Sequence, residues 1–98
     1  MDRALALEIL RRHRSALMAR GIAHAAIFGS VARGDAKTQS DVDVFLTPDK
    51  GLRLGLFALG GIQSVLEDAF GGTVDVVVDP VRNSSLSVAI ERDRVDAF

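Results

Sequence analysis

The sequence contains no cysteine, no tryptophan and no tyrosine, and only two prolines among 98 residues. Without cysteine there can be no disulfide framework and no thiolate metal site, which fits a reducing compartment. A cytoplasmic location is the expectation. No apolar run approaches the ~20 residues a membrane span requires. Asp2, Arg3 and Glu8 interrupt the first leucines, so no signal peptide is expected there. A charge excess is also missing: twelve Lys+Arg face thirteen Asp+Glu, for a net charge of −1. Nonspecific nucleic-acid binders are normally strongly basic, so no direct nucleic-acid contact is expected.

What remains is an ordinary globular composition, 48% hydrophobic and 26% charged. This length predicts a single domain over residues 1–98 with one modest core. The balanced charge is unevenly distributed. Residues 1–34 hold six basic and two acidic residues, a net of +4; residues 35–98 hold six basic and eleven acidic, a net of −5. Arg11, Arg12 and Arg14 read as a solvated helix face, with a site for phosphate or an acidic partner as the alternative.

Leu5, Ile9, Leu10, Leu17 and Met18 recur at helical spacing, which predicts one amphipathic helix over residues 3–20. Asp2 is placed to cap it and Gly21 to end it. Residues 23–28 are short and apolar, a buried strand that stops at Gly29-Ser30. Residues 31–40 predict a helical turn and a loop. Asp41 to Thr47 alternates and Pro48 follows, a second strand. Residues 52–70 are helix-like, with a break or kink expected at Gly60-Gly61, since glycine costs about 1 kcal/mol against alanine. Residues 73–79 predict a third strand closed by Pro80, and residues 84–95 a last helix capped by Ser84 or Ser85. The expected fold is a two-layer α/β (α+β) sandwich, a small mixed sheet of three or more strands with flanking helices.

The chemistry lies between Phe28 and Phe45. Gly29-Ser30 is followed by ten residues and then by Asp41-Val42-Asp43. Period-two strand geometry puts Asp41 and Asp43 on one face, with Cα atoms roughly 6–7 Å apart. Two such carboxylates repel, and a divalent cation removes the conflict. Mg²⁺ favours one or two carboxylates completed by water and substrate phosphates. Asp75 supplies a third acid if its strand neighbours the second. Three convergent carboxylates suit two-metal nucleotidyl transfer. One ion would grip the triphosphate; the other, or Asp75 as base, would activate the attacking hydroxyl. Gly29 lets the backbone approach a phosphate, Ser30 adds a hydroxyl donor, and Arg33, a turn further on, can reach the same phosphates.

Each feature alone is commonplace, and Asp75 by itself reads as a half-exposed strand residue. The joint pattern is not commonplace. Gly29-Ser30-x10-Asp41-x-Asp43 resembles the signature of the polymerase-β-like nucleotidyltransferase superfamily. The local sequences FGSVARG and SDVDVF resemble its minimal nucleotidyltransferase (MNT) branch. The resemblance extends to the arginine-rich first helix, the VDVVV strand and the final IERDRVDAF segment. It implies a polymerase-β-like fold and AMP transfer from ATP with Mg²⁺, with two ions. The catalytic residues and metal ligands would be Asp41, Asp43 and Asp75, with the nucleotide held by Gly29, Ser30, Arg33 and the first two acids. Stand-alone MNT proteins are often antitoxins whose partner is a HEPN ribonuclease toxin, which they AMPylate on a tyrosine, bind, or both. Pure docking and transfer to a small molecule are the alternatives.

A chain without tyrosine cannot modify itself on that residue, so a tyrosine acceptor must come from another molecule. The acceptor site is expected to be open and completed by a partner. Phe57, Leu59, Ile62, Phe70 and Phe98 are candidates for that surface, with core packing as the alternative. His13 and His24 lack ligands at metal spacing and are not assigned to the site. Glu67-Asp68 reads as a solvated face, Asp79 as a strand-end cap, and Ser84, Ser85 and Ser87 as capping or loop residues.

Overall fold

The computed structural model describes residues 1–37 and 41–98; the end of the predicted loop, 38–40, lies outside the described residues. Asp2 opens the first helix, its carboxylate accepting the Leu5 N–H at 2.8 Å. That helix, α1 (Arg3–Arg12), buries Ala6, Leu7, Ile9 and Leu10. The single helix predicted over 3–20 is interrupted at His13, whose Nδ1 lies 2.8 Å from the Ile9 carbonyl oxygen. A second helix, α2 (Arg14–Ala19), restarts beyond it and buries Leu17. Leu5 and Met18, expected on the buried stripe, stand exposed. Gly21 takes the expected left-handed conformation, at φ +92°.

Strand β1 (Ile22–Phe28) pairs antiparallel with β2 (Val42–Pro48). The pairing register slips between Ile22 and His24. A one-residue slip switches faces, so Ile22 joins the same core cluster as Ala25 and Ile27. Pro48 is the last residue of β2, opposite Ile22, rather than the first residue beyond it. Between the two strands lies the short helix α3 (Gly29–Arg33). After β2 the chain crosses through α4 (Leu56–Phe70) to β3 (Val74–Val78), which pairs with β2 in parallel. A crossover helix is the usual way to join parallel neighbours. Helix α5 (Ser84–Asp93) and the two-residue β4 (Val95–Asp96) complete the fold. The sheet order is β3-β2-β1-β4. This is the expected small mixed sheet with flanking helices.

Three expectations need correction. Helix α4 runs unbroken through Gly60-Gly61 and starts at Leu56, leaving residues 52–55 outside it. Ile62 and Leu66 on the same helix are fully buried. Burying each contributes about 1.5–3 kcal/mol, which outweighs the two glycines. Asn83, not a serine, caps α5, accepting the Leu86 N–H at 3.0 Å. The helix stops at Asp93, and the residues expected to continue it turn into β4 against Ala26 and Ile27.

Helices α1, α2 and α4 cover one face of the sheet, packing Leu10, Leu17, Ile62 and Leu66 on Val44 and Leu46. Helix α5 covers part of the other face, where Ile90 meets Ala26, Phe28 and Phe45. Ile62 is therefore core, whereas Phe57 is 95% exposed. Two arginines of the first helices do more than solvate a face. Arg11 Nε donates to the Ala97 carbonyl at 2.8 Å, and the Arg14 guanidinium lies 5.6 Å from the Phe98 ring centroid. Among the described residues, no helix is long and apolar enough to cross a membrane.

Candidate active site

Alternation along β2 sends Val42, Val44 and Leu46 into the main core and Asp43 and Phe45 to the opposite face. The same alternation in β3 buries Val74 and leaves Asp75 beside Asp43's face. The parallel register then sets Asp43 directly opposite Asp75. On the other side Asp43 pairs with Phe28, the last residue of β1. Gly29 follows, at φ +71°, in the left-handed region open mainly to glycine. A Cβ there would collide with Asp43 Oδ2 and lie 3.1 Å from its Cγ. Gly29 is thus required twice, by its backbone angle and by the carboxylate against it.

Asp43 is half-buried, and its pKa is pushed up to about 6. Burial is the largest cause; repulsion from Asp75, a hydrogen bond to Asp75 and repulsion from Asp41 add to it. Arg33 acts in the opposite direction. Asp41 is exposed and stands just before β2 rather than within it. The structure therefore brings Gly29, Asp43 and Asp75 together through strand pairing, and holds Asp41 and Arg33 within electrostatic reach of Asp43. Ser30 is half-exposed in the first turn of α3, which no side chain caps. The leading N–H groups of a helix have no partner within it.

The crowded acids fit a hard divalent cation. A carboxylate held half-buried against a second one is destabilised when ionised, and positive charge between them relieves both causes. Among the described residues, no three His, Cys, Asp or Glu side chains, the expected acid trio included, form a ready-made metal-binding set. Mg²⁺ does not need one, because water and phosphate oxygens fill most of its positions. Three clefts lie away from these acids. One of about 540 Å³ is lined by Met1, Arg3 and Gly34, and two others surround Pro48 and Pro80 at the far end of β2. Asp41 and Asp75 are exposed and Asp43 is half-buried.

One residue of this region escaped sequence reasoning. Asp93, at the end of α5, is buried and receives a 2.7 Å hydrogen bond from Arg33 Nη1. A signal was present: Leu86, Ile90 and Asp93 follow the i, i+4, i+7 spacing of one helix stripe, so the acid occupies a position where an apolar residue is expected.

A model of the nucleotidyltransferase domain matches residues 7–97. The chain belongs to the nucleotidyltransferase domain family. This nucleotidyltransferase is 32% identical over 90 residues to the Methanocaldococcus jannaschii protein named "Putative protein adenylyltransferase MJ1217", covering 90% of each chain. A solved minimal nucleotidyltransferase is 30% identical, with a TM-score of 0.68 over 97% of this chain and 95% of that one. A chain from a complex of the tri-AMPylated Shewanella oneidensis HEPN toxin with an MNT antitoxin superposes with a TM-score of 0.69 at 15% identity. It covers 98% of this chain and 71% of that one, a likeness of fold. The nucleotidyltransferase domain thus spans every strand of the sheet.

Proposed function

We propose that this nucleotidyltransferase transfers AMP from ATP to a hydroxyl of a HEPN-type toxin, a tyrosine being the favoured acceptor, and so acts as its antitoxin. The observation that carries the reading is the in-register pairing of Asp43 with Asp75 beside Gly29. In the reaction the acceptor oxygen forms a bond to the α-phosphorus, the bond from that phosphorus to the bridging oxygen breaks, and pyrophosphate leaves. Asp75 is the group assigned to take the acceptor proton. Gly29 and Ser30 present backbone and hydroxyl donors to the phosphates, and Arg33 adds charge. Asp41, Asp43 and Asp75 would hold Mg²⁺, two ions in the full complex, which supplies charge neutralisation at the triphosphate and lowers the acceptor's pKa. The chain's lack of tyrosine, the exposure of Asp41 and Asp75 and the adenylyltransferase relative all support an acceptor on another protein.

The test is incubation with ATP labelled at the α-phosphorus, Mg²⁺ and a HEPN-type protein encoded beside this chain. Label on the partner that vanishes with Asp41→Asn/Asp43→Asn is the expected result. Neutralisation of the toxin that survives those substitutions without labelling would replace the enzymatic reading by docking alone.

A further inference from the structure

The Asp93 carboxylate is 4% exposed and stands between two arginines. Arg92 grips it with two bonds, Nε to Oδ1 at 2.9 Å and Nη2 to Oδ2 at 3.2 Å. Arg33 adds the bond from Nη1 to Oδ2, across 60 residues of sequence and from α3 to α5. A second acid, Asp35, accepts from Arg33 Nε at 3.1 Å. The guanidinium is therefore held at two of its three nitrogens, on its Nε and Nη1 sides, and Nη2 is left for another ligand among the described residues. The Arg92 bonds, then the Arg33 bond, hold the Asp93 carboxyl below the usual carboxylate range against the opposing cost of burial.

We infer that Asp93 is a positioning residue: it fixes the guanidinium of Arg33, the last residue of α3, for contact with the phosphates of the bound nucleotide, and keeps it from collapsing onto Asp43 and Asp75. The inference rests on the nucleotidyl-transfer reading. Its physical basis is a competition. Arg33 already acts on Asp43, and an arginine free to move would pair with the crowded carboxylates, the strongest anions within reach. Such a pairing would compete with the cation that those acids are proposed to hold. Asp93 and Asp35 together match the arginine with anions that take no part in the chemistry. Of the two, only Asp93 is buried and doubly anchored, so it fixes a direction, whereas exposed Asp35 adds charge on a mobile side chain.

Simple electrostatics makes the opposite forecast. Asp93→Asn removes a negative charge near a phosphate site and should tighten ATP binding if charge alone matters. Positioning predicts weaker binding. The experiment is calorimetric titration of ATP in saturating Mg²⁺ into wild type, Asp93→Asn, Arg33→Ala and the double variant, each shown to be folded by its melting curve. The expected result is about a tenfold loss for Asp93→Asn, the scale of one charge-assisted hydrogen bond. In the Arg33→Ala background the same substitution should change nothing further, because its effect passes through Arg33. Unchanged or tighter binding in Asp93→Asn, or an equal loss in both backgrounds, overturns the inference while leaving the nucleotidyl-transfer reading intact. Absence of ATP binding by wild type overturns that reading instead, and the inference with it. Should Asp93→Asn fail to fold, Arg33→Lys decides: it keeps the charge but loses the planar fork, so a comparable loss is expected and full affinity contradicts the inference.

Discussion

Asp43 and Asp75 face each other across the parallel pairing of β2 and β3, two carboxylates in one register position of the sheet. A fold has no stability reason to place them so. A neutral residue in place of Asp43 would remove both the cost of burying its charge and the repulsion from Asp75 and Asp41, which together raise its pKa to about 6. Asp43→Asn should therefore stabilise the metal-free protein. Solvent screening limits the gain to about 1 kcal/mol, or about 4–8 °C in melting temperature for a chain of this size. The same substitution should abolish AMP transfer. Thermal melting and a labelling assay on one preparation check both signs.

The raised Asp43 pKa also fixes a pH dependence. Its folded value of about 6 lies above the ordinary 3.8, so the native state binds the proton more tightly than the unfolded chain. The resulting stability is complete below the ordinary value and is lost as pH rises through about 6. Metal-free protein should melt at a lower temperature at pH 7.5 than at pH 5, once other groups are controlled with Asp43→Asn. Mg²⁺ should raise the melting temperature more at pH 7.5, where Asp43 is ionised, than at pH 5. Equal Mg²⁺ shifts at both pH values would show that the ion does not use this carboxylate.

Gly29→Ala should be far more damaging than an average glycine replacement. The φ of +71° costs an L-residue roughly 1–2 kcal/mol, and the added methyl meets the Asp43 carboxylate. Asp43 would have to move, so activity should fall even at temperatures where the variant remains folded. Melting and transfer rate measured together separate the two losses.

The two glycines inside α4 should respond differently from each other. Nothing lies within 4 Å of a Cβ built at Gly60, so Gly60→Ala should stabilise the helix by about 0.5–1 kcal/mol. At Gly61 the added carbon would stand 2.6 Å from Arg20 Nη1, which must swing away, so Gly61→Ala should gain less. Denaturant midpoints of the two variants test this difference.

The contrast between α4 and the acid site shows what the sequence could reveal. The placement of Gly29, Asp43 and Asp75 was legible because strand period and chain spacing are local properties, and only the adjacency of β2 and β3 had to be supplied by the fold; Asp41, expected within the strand, stands just before it. The break at His13, the unbroken course of α4 and the strand β4 were not. Each is decided by partners remote in sequence: the burial of Leu17, the burial of Ile62 and Leu66, and the free edge of β1 at Ala26 and Ile27. Asp93 lay between. Its place on an apolar stripe was readable, but its meaning required Arg33, which the fold brings from the other side of the chain.

The most direct test of the acid pair as a nucleotidyl-transfer centre is to supply the HEPN-type partner with Mg²⁺ and ATP labelled at either the α- or the γ-phosphorus. The partner should acquire label from the α position alone with wild type, and from neither position with Asp43→Asn or Asp75→Asn. Label arriving from the γ position, or undiminished α label with either variant, would contradict the account.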